Sequence, residues 1–317
     1  MLRMENLLFS LNSTMPIFLM MLLGLFFRKV GIIDEVLATK MNKFVFTIPL
    51  PFVLFRNLAT VDFKAAWDIT FVAFCFVATL LSIVIVTIVS FLFHDRSIQG
   101  EFIQASYRSS AAILGVAFIQ NMYGDSGMGP LMIIGSVPLY NVVAMTVLSF
   151  FGPNSTGFSR ENLKRTVIGI VKNPILVGIA CGLVWSALGI PLKGIPYKTI
   201  SNIAATATPL GIMAMGASFD FRKINGKIAP AIVASLFKLV FLVAIFVPLA
   251  YLAGFRRAEM VAILVMLGSA TTVSAYVMAK SMGHEGTVSS STVMITTLFS
   301  AFTLTFWIFI LRSLGII

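Results

Sequence analysis

Charge is scarce in this chain of 317 residues: Asp, Glu, Lys and Arg together supply 11 % of it, against 58 % hydrophobic residues. Soluble domains carry about 25 % charged residues, so a water-soluble globule is excluded and a polytopic membrane protein is implied. Cysteine is almost missing; Cys75 and Cys181 fall in apolar runs, so no disulfide is expected and the redox compartment is not readable from them. Histidine is reduced to His94 and His284, which lie near the ends of apolar runs without metal-ligand spacing. The strings GxxxxGK, GxGxxG and HExxH do not occur, and no Ser or Thr has a base beside it, so no catalytic residue, cofactor or metal is expected. Acidic charge is missing where it would matter most. Glu5, Asp34, Glu35, Asp62, Asp68, Asp95, Glu101, Asp125, Glu161, Asp220, Glu259 and Glu285 all sit in loops or at the ends of apolar runs, so no acidic relay is expected at mid-membrane.

Long apolar runs are what the chain has. With about 20 residues per crossing, ten spans are expected near residues 12–28, 39–58, 69–93, 101–122, 129–151, 174–190, 198–217, 228–252, 260–281 and 291–312. The runs are continuous rather than alternating, which sets a β-barrel aside. The first run ends in Arg28-Lys29, has no small-residue cleavage motif, and is expected to stay as a span rather than be removed as a signal. The net charge of +11 is scattered among loops, so nucleic acid is not an expected partner. It orients the chain instead: with the N-terminus outside, 13 Lys and Arg fall in inner loops and 8 in outer segments, leaving Arg108 and Lys238 within spans. Both termini are therefore expected outside.

Shifting the chain by 158 residues places Pro16 on Pro174, Gly24 on Gly182, Pro51 on Pro209, Asp62-Phe63 on Asp220-Phe221 and Glu101 on Glu259. After a one-residue slip the match continues, Ser110 with Ser269 and Gly124 with Gly283. The expected organisation is two five-helix repeats, 1–152 and 174–317, joined by a polar cytoplasmic linker, 153–173. An odd number of spans per repeat forces the second into the bilayer inverted, the arrangement found in secondary transporters.

Three features mark candidate sites. Spans 2 and 7 carry Pro49, Pro51 and Pro209, which either shape packing or act as kinks and hinges. Spans 4 and 9 carry hydroxyl-rich clusters at matching positions, Ser109 and Ser110 in one and Ser269, Thr271, Thr272 and Ser274 in the other. A lone cluster of this kind serves helix packing. A symmetric pair favours broken helices, whose half-helix N-termini offer N–H groups to an anion. The third feature is buried positive charge. Lys238 lies about 15 Å into span 8, where its partner is a set of backbone carbonyls, the substrate, or a place otherwise held by a metal cation. Arg108 lies roughly 10 Å into span 4, either in a ladder with Glu101 and Gln104 or in contact with substrate. Asn141, with Tyr140, can hydrogen-bond into the same region. Fixed positive charge without negative charge points to a small anionic carboxylate as the substrate.

Several strings carry a family resemblance: Leu50-Pro51-Phe52-Val53-Leu54-Phe55-Arg56, Lys172-Asn173-Pro174-Ile175-Leu176, Thr208-Pro209-Leu210-Gly211, Met213-Ala214-Met215-Gly216, and Ser274-Ala275-Tyr276-Val277-Met278-Ala279-Lys280. In these, and in its ten spans, the sequence resembles the bacterial branch of the auxin efflux carrier family. The resemblance implies the fold of the bile acid–sodium symporters: an all-α membrane protein of ten helices with helices 4 and 9 broken and crossing. Spans 1, 2, 6 and 7 would form a scaffold, and spans 3–5 and 8–10 a moving transport unit. It implies a carrier in the bacterial inner membrane for malate- or malonate-like organic acids, working by an elevator-like alternating access. The chain departs from many relatives in having no proline between residues 101 and 122 or between 260 and 281. It also lacks the long central loop of the plant carriers. A membrane-embedded ligand sensor, a channel, and an efflux carrier for an aromatic or indolic weak acid are the alternatives. Proton coupling through Lys238 and pairing of two copies are left open, and lipid is the remaining partner.

Overall fold

The computed structural model describes residues 15–16, 19–60, 68–124, 127–151, 168, 174–218 and 228–317. The expected linker at 153–173, apart from residue 168, lies outside them, as do Asp62-Phe63 and Asp220-Phe221. Among the described residues every regular element is helical. Residues 19–29 form α1, followed by α2 (Glu35–Thr47), α3 (Pro49–Ala59), α4 (Ile69–Ser90), α5 (Gln99–Tyr107), α6 (Val116–Tyr123) and α7 (Gly129–Phe150). Then come α8 (Pro174–Ala187), α9 (Gly194–Ala205), α10 (Ala207–Ala217), α11 (Ile228–Leu236), α12 (Leu242–Leu252), α13 (Arg257–Gly268), α14 (Val273–Ser281) and α15 (Thr287–Ser313).

Among the described residues, five stretches are both long and apolar enough to cross a membrane unaided: Ile69–Ser90, Gly129–Phe150, Gly194–Ala217, Ile228–Leu252 and Thr287–Ser313. Their lengths of 22 to 27 residues fit a hydrocarbon layer about 30 Å thick. Spans 2, 4 and 9 are instead divided into shorter helices. Span 2 divides at Ile48 (φ −120°, ψ −73°), directly before Pro49. The α9–α10 stretch divides at Thr206, three residues before Pro209. Proline is tolerated in a first helical turn, where its missing N–H has no intrahelical partner, so each division falls just ahead of its proline. Pro138 and Pro248, by contrast, lie inside α7 and α12.

Glycine sets the closest helix contacts. A Cβ on Gly24 would lie 2.1 Å from the Met213 carbonyl oxygen, and one on Gly216 would lie 2.0 Å from that of Met21, so α1 and α10 meet backbone to backbone. A Cβ on Gly178 would lie 2.7 Å from the Pro51 oxygen, and one on Gly182 3.0 Å from the Phe55 oxygen, which seats α8 on α3. Without a hydrophobic drive between helices in lipid, such small-residue seams let dispersion forces act at short range. Span 1 is linked to span 7, and span 2 to span 6, in this way. On the other side, α4 packs on α7 where a Gly135 Cβ would lie 2.7 Å from Cys75 Cβ. Burial is most continuous along α5, where every residue is buried, and along α13, where every residue from Met260 to Gly268 is buried.

Candidate functional site

Span 4 breaks after Tyr107. Arg108 is extended (φ −77°, ψ 109°), and the chain re-enters a helix through a wide π-type turn, Ala111–Gly115. There the Ser110 carbonyl accepts from the N–H groups of Ile113, Leu114 and Gly115 at 2.8–3.2 Å. Span 9 breaks after Gly268, with Ser269 extended (φ −73°, ψ 160°), and resumes at Val273. No proline enforces either break. Both are rich in Ser, Thr and Gly, which hold helices weakly, and in Ala, which with them is small enough to leave room for another backbone.

The two extended stretches cross and pair. Ser109 and Thr271 form an antiparallel bridge, and the Ser110 N–H donates to the Ala270 carbonyl at 2.9 Å. Thr271 Oγ1 donates to the Ala105 carbonyl at 2.8 Å, and Ser109 Oγ donates to that of Met266. The Thr271 N–H donates to Thr296 Oγ1 at 3.0 Å, tying the crossing to α15. Irregular backbone at membrane depth is thus satisfied within the protein, as the absence of water there demands.

Four half-helices meet at this crossing, with their ends pointing in different directions. The first turns after each break, at Ala111 and Val273, are half-helix N-termini whose N–H groups are partly taken up locally, three by the Ser110 carbonyl and two by Thr272. The C-termini of α5 and α13 present carbonyls, and Lys238 lies against these. Its Nζ donates to the carbonyls of Leu267 and Tyr107, the latter at 3.2 Å, and to Ser109 Oγ, with the Met266 oxygen at 3.5 Å. Lys238 is 0 % exposed and sits in a second π-type turn, Phe237–Phe241, in the middle of span 8. Widened turns of this kind are common at functional positions in helices.

A cleft of about 380 Å³ opens between the crossing and α2–α3. Its polar lining is Arg108, Ser109, Ser110, Asn141, Thr272 and Ser274; Phe46, Leu50, Ala112, Ile113, Val137 and Tyr140 supply apolar walls. Arg108 is 3 % exposed, and its guanidinium donates to Asn141 Oδ1 at 2.8 Å and to Met278 Sδ at 3.4 Å, both neutral. Among the described residues, no carboxylate lines the cleft. Ser110 Oγ is buried there without a hydrogen-bond partner, and Thr272 and Ser274 pair through their hydroxyls at 3.1 Å. A wider vestibule of about 700 Å³, lined by Arg28, Thr39, Asn42, Met215, Tyr276 and Ser290 among others, reaches Val273 from the α1–α2 connection.

Six of the nine candidate binding residues thus share one cleft, while Lys238, Ser269 and Thr271 lie outside its lining. The side chains of Glu101, Gln104 and Arg108 do not bond to one another. Glu101 accepts from the N–H groups of Gly286 and Ser289 at 2.8 and 2.9 Å, capping α15, and Gln104 Nε2 donates to the Ala275 carbonyl at 2.9 Å. Sequence reasoning missed the Met266 carbonyl, which also accepts from Tyr140 O–H at 3.2 Å, and the hydroxyl-rich face of α15. The run Ser289-Ser290-Ser291-Thr292 was the available signal for that face.

Apolar helices, half-helices crossing at depth and a buried cationic cleft define a membrane transporter. The model of the membrane transport protein family, that of the auxin efflux carriers, matches residues 9–308, and the chain belongs to this family. It is therefore an integral membrane protein. It is 20 % identical over 307 residues to an uncharacterized transporter of Methanothermobacter thermautotrophicus, covering 94 % of this chain and 97 % of that one. It is 22 % identical over 313 residues to an uncharacterized transporter of Methanocaldococcus jannaschii, covering 96 % and 99 %.

Proposed function

We propose that the chain carries small organic anions, malate- or malonate-like carboxylates, across the bacterial inner membrane by alternating access. The ten spans form two inverted five-helix repeats. Spans 1, 2, 6 and 7, with glycine seams joining 1 to 7 and 2 to 6, stay fixed, and spans 3–5 and 8–10 slide against them as an elevator. The cleft lies on the boundary between the two groups, so a sliding unit would carry its contents. With both termini outside, the vestibule opens to the cytoplasm. The substrate is moved unaltered, so no enzymatic step is involved.

One observation carries this assignment: among the described residues, a buried guanidinium has only neutral hydrogen-bond partners and faces a cleft without carboxylates. A buried cation without an anion is costly, and an entering carboxylate offsets that cost. Asn141 holds the guanidinium in place, Ser110, Thr272 and Ser274 supply hydroxyl donors, and the half-helix N-termini add positive potential. Counterflow of labelled mono- and dicarboxylates in proteoliposomes tests it. Saturable exchange supports the assignment; binding without flux would make the chain a sensor, and conductance far above carrier turnover would make it a channel.

A further inference from the structure

The resemblance to bile acid–sodium symporters raises the question of whether a sodium ion fits at the crossing. In transporters with broken helices, unwound carbonyls and half-helix C-termini are the groups that coordinate such an ion. Here those groups are the carbonyls of Tyr107, Met266 and Leu267 together with Ser109 Oγ, and all four already surround Lys238 Nζ. A sodium ion does not fit beside it.

We infer that Lys238 is a tethered cation, filling from within the chain the place at the crossing that an ion-driven carrier gives to its metal ion. This rests on taking the crossing as the transport centre. The charge balance is the first support. Each half-helix C-terminus carries about half a negative elementary charge, so the ends of α5 and α13 together present roughly one. A single ammonium matches that. Donor count is the second: three N–H groups face four oxygens, and Lys238 does not line the cleft. Tyr107, Met266 and Leu267 offer only carbonyl oxygens, which accept and cannot donate. Ser109 donates its own hydroxyl proton to Met266, leaving its lone pairs to the ammonium. Loss of a proton from Lys238 would strand acceptors in a dry interior. The lysine is therefore a charge that positions the crossing. It follows that the native chain gains nothing from sodium. Removing the ammonium leaves an oxygen cage of net negative potential, open to a small monovalent cation.

The test is thermal unfolding of purified full-length protein in sodium, lithium, potassium or choline chloride at equal ionic strength. The wild type should unfold at the same midpoint in sodium as in choline. Lys238→Ala and Lys238→Ser should unfold several degrees lower in choline and regain the loss, saturably, in one small cation. Saturable stabilisation of the wild type by sodium over choline overturns the inference. So does a failure of both variants to respond to any cation, whether they are folded or not. Uptake by the wild type should also be equal with and without a sodium gradient. Absence of uptake for every anion tested would defeat the carrier assignment, while the unfolding result would still decide the role of Lys238.

Discussion

Replacing Arg108 by glutamine should separate affinity from stability, moving them in opposite directions or moving only one. In the native chain the guanidinium is buried with Asn141 Oδ1 at 2.8 Å and Met278 Sδ at 3.4 Å as its partners. A substrate carboxylate about 4 Å away would gain roughly 4 kcal/mol of Coulomb energy at an effective dielectric of about 20. Desolvation of both groups takes back part of this. The net value of a hydrogen bond to a charged group, about 1.5–3 kcal/mol, is the better guide. At about 1.4 kcal/mol per tenfold, a loss of 2–3 kcal/mol is a roughly 30- to 150-fold rise in the half-saturation concentration for counterflow. Folding should respond differently. The glutamine amide can still donate to Asn141, and an unpaired buried charge has been removed, so the unfolding midpoint should hold or rise. Arg108→Lys keeps the charge but loses the planar fork, and should lie between, near a tenfold loss. If Arg108→Gln loses stability and affinity together, the arginine is a structural strut. If half-saturation stays within twofold in a folded variant, the anion is held elsewhere.

Gly24→Val and Gly216→Val each put a Cβ about 2 Å from a carbonyl oxygen across the α1–α10 seam. Each should destabilise the protein by at least about 1–3 kcal/mol, read as a lower unfolding midpoint in detergent. A Cβ on Gly211 would lie 3.2 Å from Ile113 Cγ2 and 3.3 Å from Val45 Cγ1, at the boundary between the groups proposed to slide on one another. Gly211→Leu should therefore slow exchange several-fold while leaving anion affinity within about twofold; equal loss of both would show that the seam does not slide. Glu101→Ala strands two buried N–H groups at the start of α15 and should cost about 1–3 kcal/mol each. Glu101→Gln, which keeps one acceptor, should cost less, as unfolding would show.

Much of this molecule is written locally. The lengths of the apolar runs set the spans, because lipid leaves backbone groups no partner outside their own helix. The paired Ser/Thr clusters at 109–110 and 269–274 marked the breaks, because those side chains weaken helices wherever they occur. The scarcity of carboxylates at depth and the presence of Arg108 and Lys238 there were also plain from the chain. Proline was a coarser guide: the divisions fall at Ile48 and Thr206, just ahead of the residues that prompted the expectation.

What the tertiary structure alone decided is who meets whom. Glu101, Gln104 and Arg108 share a helical spacing, and a local ladder was one of the two expectations for Arg108. Each side chain instead reaches across the fold: Glu101 to residues 185 and 188 positions away, Gln104 to residues 171 and 185 away, and Arg108 to residues 33 and 170 away. Only the crossing of the two breaks places Lys238 at two helix ends, one 131 residues before it and one 29 after. It also sorts the candidates into those that face the cleft and those that lie behind it. Burial cost is a property of a residue and its depth, so sequence reveals it. The relief of that cost depends on which partner the fold brings within 3 Å, and periodicity carries no information about that.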